Sequence, residues 1–308
     1  MKLVFCGTPQ FAVPTLEAVL AAGHDVALVL TQPDRAAGRG MELQTSPVKK
    51  TALEHNIPIT QPEKIKNNLE LRQQLEDIRP DAIIVVAYGR IIPQWMLDLP
   101  PHGNINLHGS LLPKYRGAAP IQWAVASGEV ITGVTTMRLD AGLDTGGILL
   151  LQELAIAPDD TAETLSPRLA LIGADLVVET LRRLQTGSVQ SRPQDNSQAS
   201  LAPILKKEDG LVDFSRSAIE IFNRIRGFQP WPGAYTKFRG KTLQILKARP
   251  ATASVPHAEL NADFDHLLVG CGHNTSLELL EIQLEGKKRT SAGDFIRGYR
   301  PHQGEKLG

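Results

Sequence analysis

The sequence predicts an α/β fold: a doubly wound, mainly parallel sheet followed by a second, smaller β-rich domain. Three observations carry this. First, the chain opens on Lys2–Cys6, an apolar strand run that Gly7, Thr8 and Pro9 turn into a helical pattern from about Phe11 to Ala22. Gly23 closes that helix and Val26–Thr31 forms the next strand, so the opening has the β-turn-α-β order of a parallel sheet. Second, Asp81–Ala87 (DAIIVVA) is apolar without alternation, as a central strand buried on both faces must be. Third, the composition changes at Thr186–Pro203, where Ser, Gln, Pro and Asn displace any hydrophobic period and predict a linker.

The remaining elements follow in order. Gln32–Pro47 (QPDRAAGRGMELQTSP) is a long loop for a compact α/β unit, and loops of that length are usually functional or disordered. Pro47–Asn56 predicts a short helix, Ile57–Thr60 a strand, and Glu63–Ile78 a charged amphipathic helix. Pro93–Leu97 is a short helix ahead of a strand that starts near Gly103. Ala119–Ser127 predicts a helix, and the strands Val130–Leu139 and Gly147–Ala157 form an antiparallel pair around a turn. Thr161–Leu184 is a long helix, with Asp159 or Asp160 as its expected cap. Beyond the linker, a helix at Ser217–Arg226 precedes short strands at Ala234–Phe238, Thr242–Ala248, Leu267–Gly270 and Leu277–Leu284. Short strands with Gly-rich turns point to a small β-barrel. The expected division is residues 1–189, a linker over 190–206, and a C-terminal domain over 207–308.

Composition narrows the function classes. The 308 residues are 42% hydrophobic and 21% charged, the balance of a soluble globular protein. Net charge is zero, so no global field favours nucleic acid, although residues 204–308 carry 16 Lys/Arg against 12 Asp/Glu. Cys6 and Cys271 are far apart and lack metal-like spacing, so neither a disulfide framework nor a metal site is expected. The start MKLVFCGTP is a strand and a turn rather than a signal peptide, no apolar run approaches a membrane span, and a cytoplasmic protein is expected. No GxGxxG follows the first strand, which argues against a dinucleotide site.

The chemistry concentrates in Gly103–Trp123 (GNINLHGSLLPKYRGAAPIQW). Alternation along the strand turns Asn106 and His108 to one face at its end, where open α/β sheets place their ligands. An amide donor beside a group that carries a proton near neutral pH is equipment for polarising a carbonyl. The second stretch, Leu139–Gly147 (LDAGLDTGG), brings Asp144 as a partner for His108. A carboxylate there fixes the imidazole tautomer and favours its cation. An ordinary turn-forming Asp is the alternative.

HGSLLPKYRG, with Asn106 two residues before His108 and AGLDTG downstream, resembles the signature of the folate-dependent formyltransferases. The resemblance covers nearly the whole chain. It implies a Rossmann-like catalytic domain with Asn106, His108 and Asp144 as the catalytic set, and 10-formyltetrahydrofolate as formyl donor. Ser110, Leu111, Leu112 and Pro113 fall where the family holds the folate, and the pterin lies near Tyr88. QPDR-x-x-GRG followed by SPVK resembles the loop with which some members grip the acceptor end of initiator tRNA, implicating Arg35 and Arg39. Those members usually have Lys-Lys after GRG. Here Met41 and Glu42 stand in its place, which leaves Arg39 more of the phosphate attraction. IRGFQPWPGAY is similar to the start of their OB-like C-terminal domain, with Lys206 and Lys207 among its basic residues toward tRNA. The implied activity is formyl transfer to methionine on initiator methionyl-tRNA, for translation initiation, by a monomer. Three rivals share some features: a formyltransferase for a small amine, a hydrolase that releases formate, and a non-catalytic binding protein. The GRG loop argues against the first two, and retention of all three polar residues against the third.

Overall fold

The computed structural model describes residues 1–37 and 42–308, which form two compact units. The first comprises Met1–Pro120, Ile131–Ala155 and Ser166–Pro203; the second comprises Ile121–Val130, Ile156–Leu165 and Ile204–Gly308.

The elements run, in chain order, β1 (Lys2–Gly7), α1 (Val13–Ala21), β2 (Asp25–Leu30), β3 (Arg35–Ala37), β4 (Glu42–Gln44), α2 (Pro47–Glu54), β5 (Ile59–Thr60), α3 (Leu69–Ile78) and β6 (Ala82–Val86). They continue with α4 (Gln94–Leu97), β7 (Asn104–His108), β8 (Arg116–Gly117), α5 (Pro120–Ala126), β9 (Ile131–Arg138), β10 (Ile148–Ala155), α6 (Ala162–Gln185) and β11 (Leu201–Ala202).

The large sheet of the first unit has the order β10-β9-β7-β6-β1-β2-β5. Strands β5, β2, β1, β6 and β7 are parallel, whereas β9 and β10 join antiparallel at the other edge. The chain runs from β1 outward to β5 and then returns to the opposite side of β1 with β6. This reversal is the kind of switch point beside which α/β sheets bind ligands. Both faces are covered, which explains the unbroken apolar runs. On one face Val4, Cys6, Leu28, Leu30, Ile83 and Val85 pack with Leu71 and Leu75 of α3 and Met96 of α4. On the other, Gly173 of α6 lies so close to the Leu107 side chain that a Cβ there would come within 2.7 Å of it. Thr180 of the same helix hydrogen-bonds Thr136 at 2.8 Å.

Several expectations are corrected. The helix expected from Glu63 begins only at Leu69, because Asn68 takes extended backbone and its side chain accepts from Leu71 N, ending the turn that precedes it. The long loop carries a short antiparallel hairpin, β3–β4. The cap of α6 is neither Asp159 nor Asp160: Thr161 Oγ1 accepts from Thr164 N while Thr164 Oγ1 accepts from Thr161 N. Asp160 instead accepts from Ala157 N and the Thr164 hydroxyl. The polar stretch after α6 is tied to the first unit through residue 203. Arg192 bridges Ile148, and β11 pairs in parallel with β8.

The second unit holds α7 (Ala218–Gly227), β12 (Ala234–Phe238), β13 (Lys241–Ala251), β14 (Leu260–Asp263), β15 (His266–Gly270), β16 (Ser276–Leu284), β17 (Thr290–Ser291) and α8 (Ala292–Tyr299). Its sheet is antiparallel, ordered β12-β13-β16-β15-β14, with β17 added on β16. No ladder joins β12 to β14 among the described residues, so this is an antiparallel sheet with two edges. Register shifts on both sides of Lys247 bend the long β13 strand. The core gathers Ile221 and Ile225 of α7, alternate residues of the strands, and Phe295 of α8, which meets Phe238 edge-on at 5.0 Å. No helix among the described residues is long and apolar enough to cross a membrane.

Candidate active site

β7 pairs with the central strand β6, Val85 lying beside Asn106, so its C-terminal end stands at the middle of the sheet. Asn104, Asn106 and His108 therefore share a face, and each is buried. Asn104 donates to the carbonyls of Met96 and Leu97 and so anchors α4. The Asn106 side chain makes no hydrogen bond with another described residue, which leaves its amide free to donate elsewhere.

The loop after His108 is rigid because it is bonded to itself and to two neighbours. Thr135 Oγ1 donates to Ser110 O and accepts from Leu112 N, and Ser110 Oγ donates to Lys114 O at 2.6 Å. Tyr115 N donates to Ser200 Oγ, and Arg116 N to Ser200 O. The result is a fixed carbonyl, Tyr115 O, 2.9 Å from His108 Nε2. A carbonyl only accepts, so Nε2 carries a proton and donates it there. The other ring nitrogen, Nδ1, lies 3.7 Å from Asp144 Oδ2. That distance is too long for a hydrogen bond and right for an ion pair once the ring is cationic. The ring therefore has Nε2 held by Tyr115 O, while Nδ1 faces the Asp144 carboxylate.

Asp144 sits in the β9–β10 turn with φ +51°. Asp140 folds that turn by accepting from Gly142 N and the Thr145 hydroxyl. Gly146 is required because a Cβ would lie 1.7 Å from Arg138 O. The Asp144 carboxylate accepts from Gly117 N at 2.8 Å through the same oxygen that faces His108. Asn106, His108 and Asp144, chosen from the sequence, are thus supported by adjoining elements of one unit.

Residues 1–181 match the family model described as formyl transferase, and residues 204–300 match its C-terminal domain. The chain belongs to the formyl transferase family. Among relatives of this formyl transferase is a methionyl-tRNA formyltransferase of Koribacter versatilis, 67% identical over 100% of this chain and 99% of its own. One of Geobacter metallireducens is 49% identical, over 100% of this chain and 99% of its own. Among solved structures, an N-formyltransferase of Helicobacter canadensis, in complex with folinic acid and dTDP-3-aminofucose, superposes with TM-score 0.67 at 20% identity. It covers 91% of this chain and 98% of that one, which shows the shared fold. Phosphoribosylglycinamide formyltransferase of Bacillus halodurans gives 0.52 at 25% identity, over 60% of this chain and 96% of that one.

The remaining residues that sequence reasoning assigned to this formyl transferase are distributed as follows. In the segment expected to hold folate, the Ser110 side chain is wholly buried and its hydroxyl proton is given to Lys114 O. Leu112 packs inward with Met137 and Ile148. Leu111 and Pro113 are half-buried. The Tyr88 side chain is in the core, where burial pushes its phenol up, and the hydroxyl has no hydrogen-bond partner among the described residues. Its carbonyl accepts from Gln32 Nε2 and the Thr8 hydroxyl. Arg35 is exposed on β3, Lys206 and Lys207 are exposed on the second unit, and Arg39 lies outside the described residues. Sequence reasoning missed Gln32, whose Nε2 also donates to Gly89 O and whose Oε1 accepts from Arg90. It also missed Gln194 and Arg116. A polar residue in a stretch without period gives no local signal of a partner fifty residues away.

Proposed function

We propose that this formyl transferase moves the formyl group of 10-formyltetrahydrofolate to the α-amino group of methionine on initiator methionyl-tRNA. The amine lone pair attacks the formyl carbon, and the carbonyl electrons pass to the formyl oxygen. Collapse of the tetrahedral intermediate re-forms the carbonyl and breaks the bond to N10, while the proton lost by the amine is returned to N10. The Asn106 amide and the His108 Nδ1 proton stabilise the oxyanion, and Asp144 holds the imidazolium and relays the amine proton. The observation that carries this reading is the division of labour on His108. Nε2 is committed to Tyr115 O, so Nδ1 is left to face Asp144, on the strand face that Asn106 shares.

Leu111 and Pro113 form an apolar wall for the folate, with Ser110 and Leu112 as its internal supports and the carbonyl-rich end of β6 near Tyr88 as the pterin edge. Arg35 and Arg39 serve the tRNA acceptor end. Lys206 and Lys207 do the same on the second unit, which we read as an OB-like barrel in outline. The enzyme acts as a cytoplasmic monomer, with residues 1–189 catalytic and 207–308 directed to tRNA. The supporting relatives are those named methionyl-tRNA formyltransferase along essentially their whole length. The test is formyl transfer from 10-formyltetrahydrofolate to charged initiator tRNA, with free methionine and uncharged tRNA as controls. Product on the charged tRNA alone is expected. Formate release without a tRNA product would replace this reading with hydrolysis.

A further inference from the structure

The turn that carries Asp144 is held by a side chain from the polar stretch after α6. Gln194 Nε2 donates to Asp144 O at 2.8 Å and to Gly146 O at 2.7 Å. Its Oε1 accepts from Arg116 Nε at 3.0 Å and Nη2 at 2.7 Å. The amide orientation is forced: a guanidinium only donates and a backbone carbonyl only accepts. Arg116 is buried, and Asn196 Oδ1 takes a further hydrogen bond from Nη2 at 2.9 Å. The backbone closes the loop, because Gly117, next to Arg116, donates its N–H to the Asp144 carboxylate. β8 is in turn paired with β11. The Asp144 residue is therefore fixed at both ends, its carboxylate by Gly117 and its carbonyl by Gln194.

We infer that Gln194, oriented by Arg116, is a positioning residue for the reaction, acting through Asp144 rather than by touching substrate. This rests on Asp144 having the role given above. A residue held in the left-handed region with φ +51° needs its surroundings to keep it there. Gln194 supplies two of the bonds that do so. A carboxylate that shifts by about 1 Å loses turnover on the order of 10²-fold.

The experiment is a double-mutant cycle on formyl transfer with Gln194→Ala, Asp144→Asn and the pair. Gln194→Ala is expected to lower kcat by roughly 10–10²-fold while both KM values stay within about threefold. In the Asp144→Asn background the same substitution is expected to change kcat less than about twofold, since its effect has no carboxylate left to act through. Gln194→Glu keeps the acceptors for Arg116 but turns a carboxylate on two carbonyls. It is expected to unfold no earlier than Gln194→Ala and still to lose turnover. Full kcat in Gln194→Ala with Asp144→Asn defective would overturn the positioning role alone. A full, additive loss in the double variant, or restoration of kcat by Gln194→Glu, would do the same. Normal turnover in Asp144→Asn would take down the reading of Asp144 and this inference with it.

Discussion

Gly117→Ala tests how closely the backbone around Asp144 is fitted. Gly117 has φ +124°, a region that side chains rarely adopt, and an added Cβ would stand 2.6 Å from Ala202 O on β11. Ordinary contact needs about 3.5 Å, so β8 and β11 must part by roughly 0.9 Å or the residue must twist away. Strained φ alone costs about 1–3 kcal/mol, and overpacking of this kind costs a similar amount, so a stability loss of about 2–6 kcal/mol is expected. The N–H of the same residue holds Asp144 Oδ2 at 2.8 Å. The displacement therefore reaches the carboxylate, and kcat should fall on the order of 10²-fold. Urea unfolding gives the first quantity and formyl transfer at saturating substrates the second. Gly187→Ala is the control, with φ +66° and nothing within 4 Å of its Cβ. It should show the strain, about 1 kcal/mol, without the loss of turnover. If Gly117→Ala loses less than about 1 kcal/mol and keeps kcat within about twofold, the close fit of β8 against β11 is not what holds Asp144.

Asn106→Ala removes a buried amide that no described protein group uses, so it should remain folded and lose about 10²–10³ in kcat. Near-normal turnover would sink the oxyanion assignment. Asp144→Asn keeps an acceptor for Gly117 N and tolerates positive φ, yet removes the charge facing His108. A kcat loss of about 10²–10³ with an unchanged melting temperature is expected, and coincident loss of both would show a structural role instead. Hydrogen bonds from Lys49 and then Gln61 hold the Asp34 carboxyl below its ordinary value. The stabilisation from this link is thus complete at neutral pH and is lost as pH falls through that lowered value. A carbon NMR titration should find the Asp34 midpoint below about 3.9, and a midpoint above that would disprove the link. In the second unit, Arg226 donates to Asp160 O and Asn223 Oδ1 while stacking on Phe222 at 5.0 Å. Arg226→Ala removes its hydrogen bond from both acceptors and should cost about 2–4 kcal/mol in urea unfolding, with a loss under about 1 kcal/mol showing the cluster to be dispensable.

Much of the fold is legible because burial writes itself into short stretches. β1 and β6 are buried on both faces and read as unbroken apolar runs, and β12 is found at the residues its alternation marks. The placement of Asn106, His108 and Asp144 is legible for a related reason: each is a polar residue at the end of a strand or in a tight turn. What was not legible depends on distant partners. Thr186–Pro203 has the composition of a linker, yet Arg192, Gln194 and Ser200 each bond to residues 44 to 85 positions earlier. The β3–β4 hairpin has three-residue strands, too short for a period to show. β14, β17 and α8 were missed because Leu260–Asp263 and Thr290–Ser291 have few apolar residues of their own and are strands only by virtue of β15 and β16. α8 is a two-turn helix whose buried side rests chiefly on Phe295.

The carboxamide of Gln32 governs how this scaffold can be rebuilt. One side chain from the segment entering the β3–β4 hairpin takes up two carbonyls and one guanidinium at the end of β6. A hairpin transplanted from another protein without that glutamine would leave Tyr88 O with only the weaker Thr8 contact and Gly89 O with none of this support. Engineering that swaps the hairpin alone therefore also alters the loop after β6. The exchangeable module is residues 32–46 together with 87–90, moved as a matched pair.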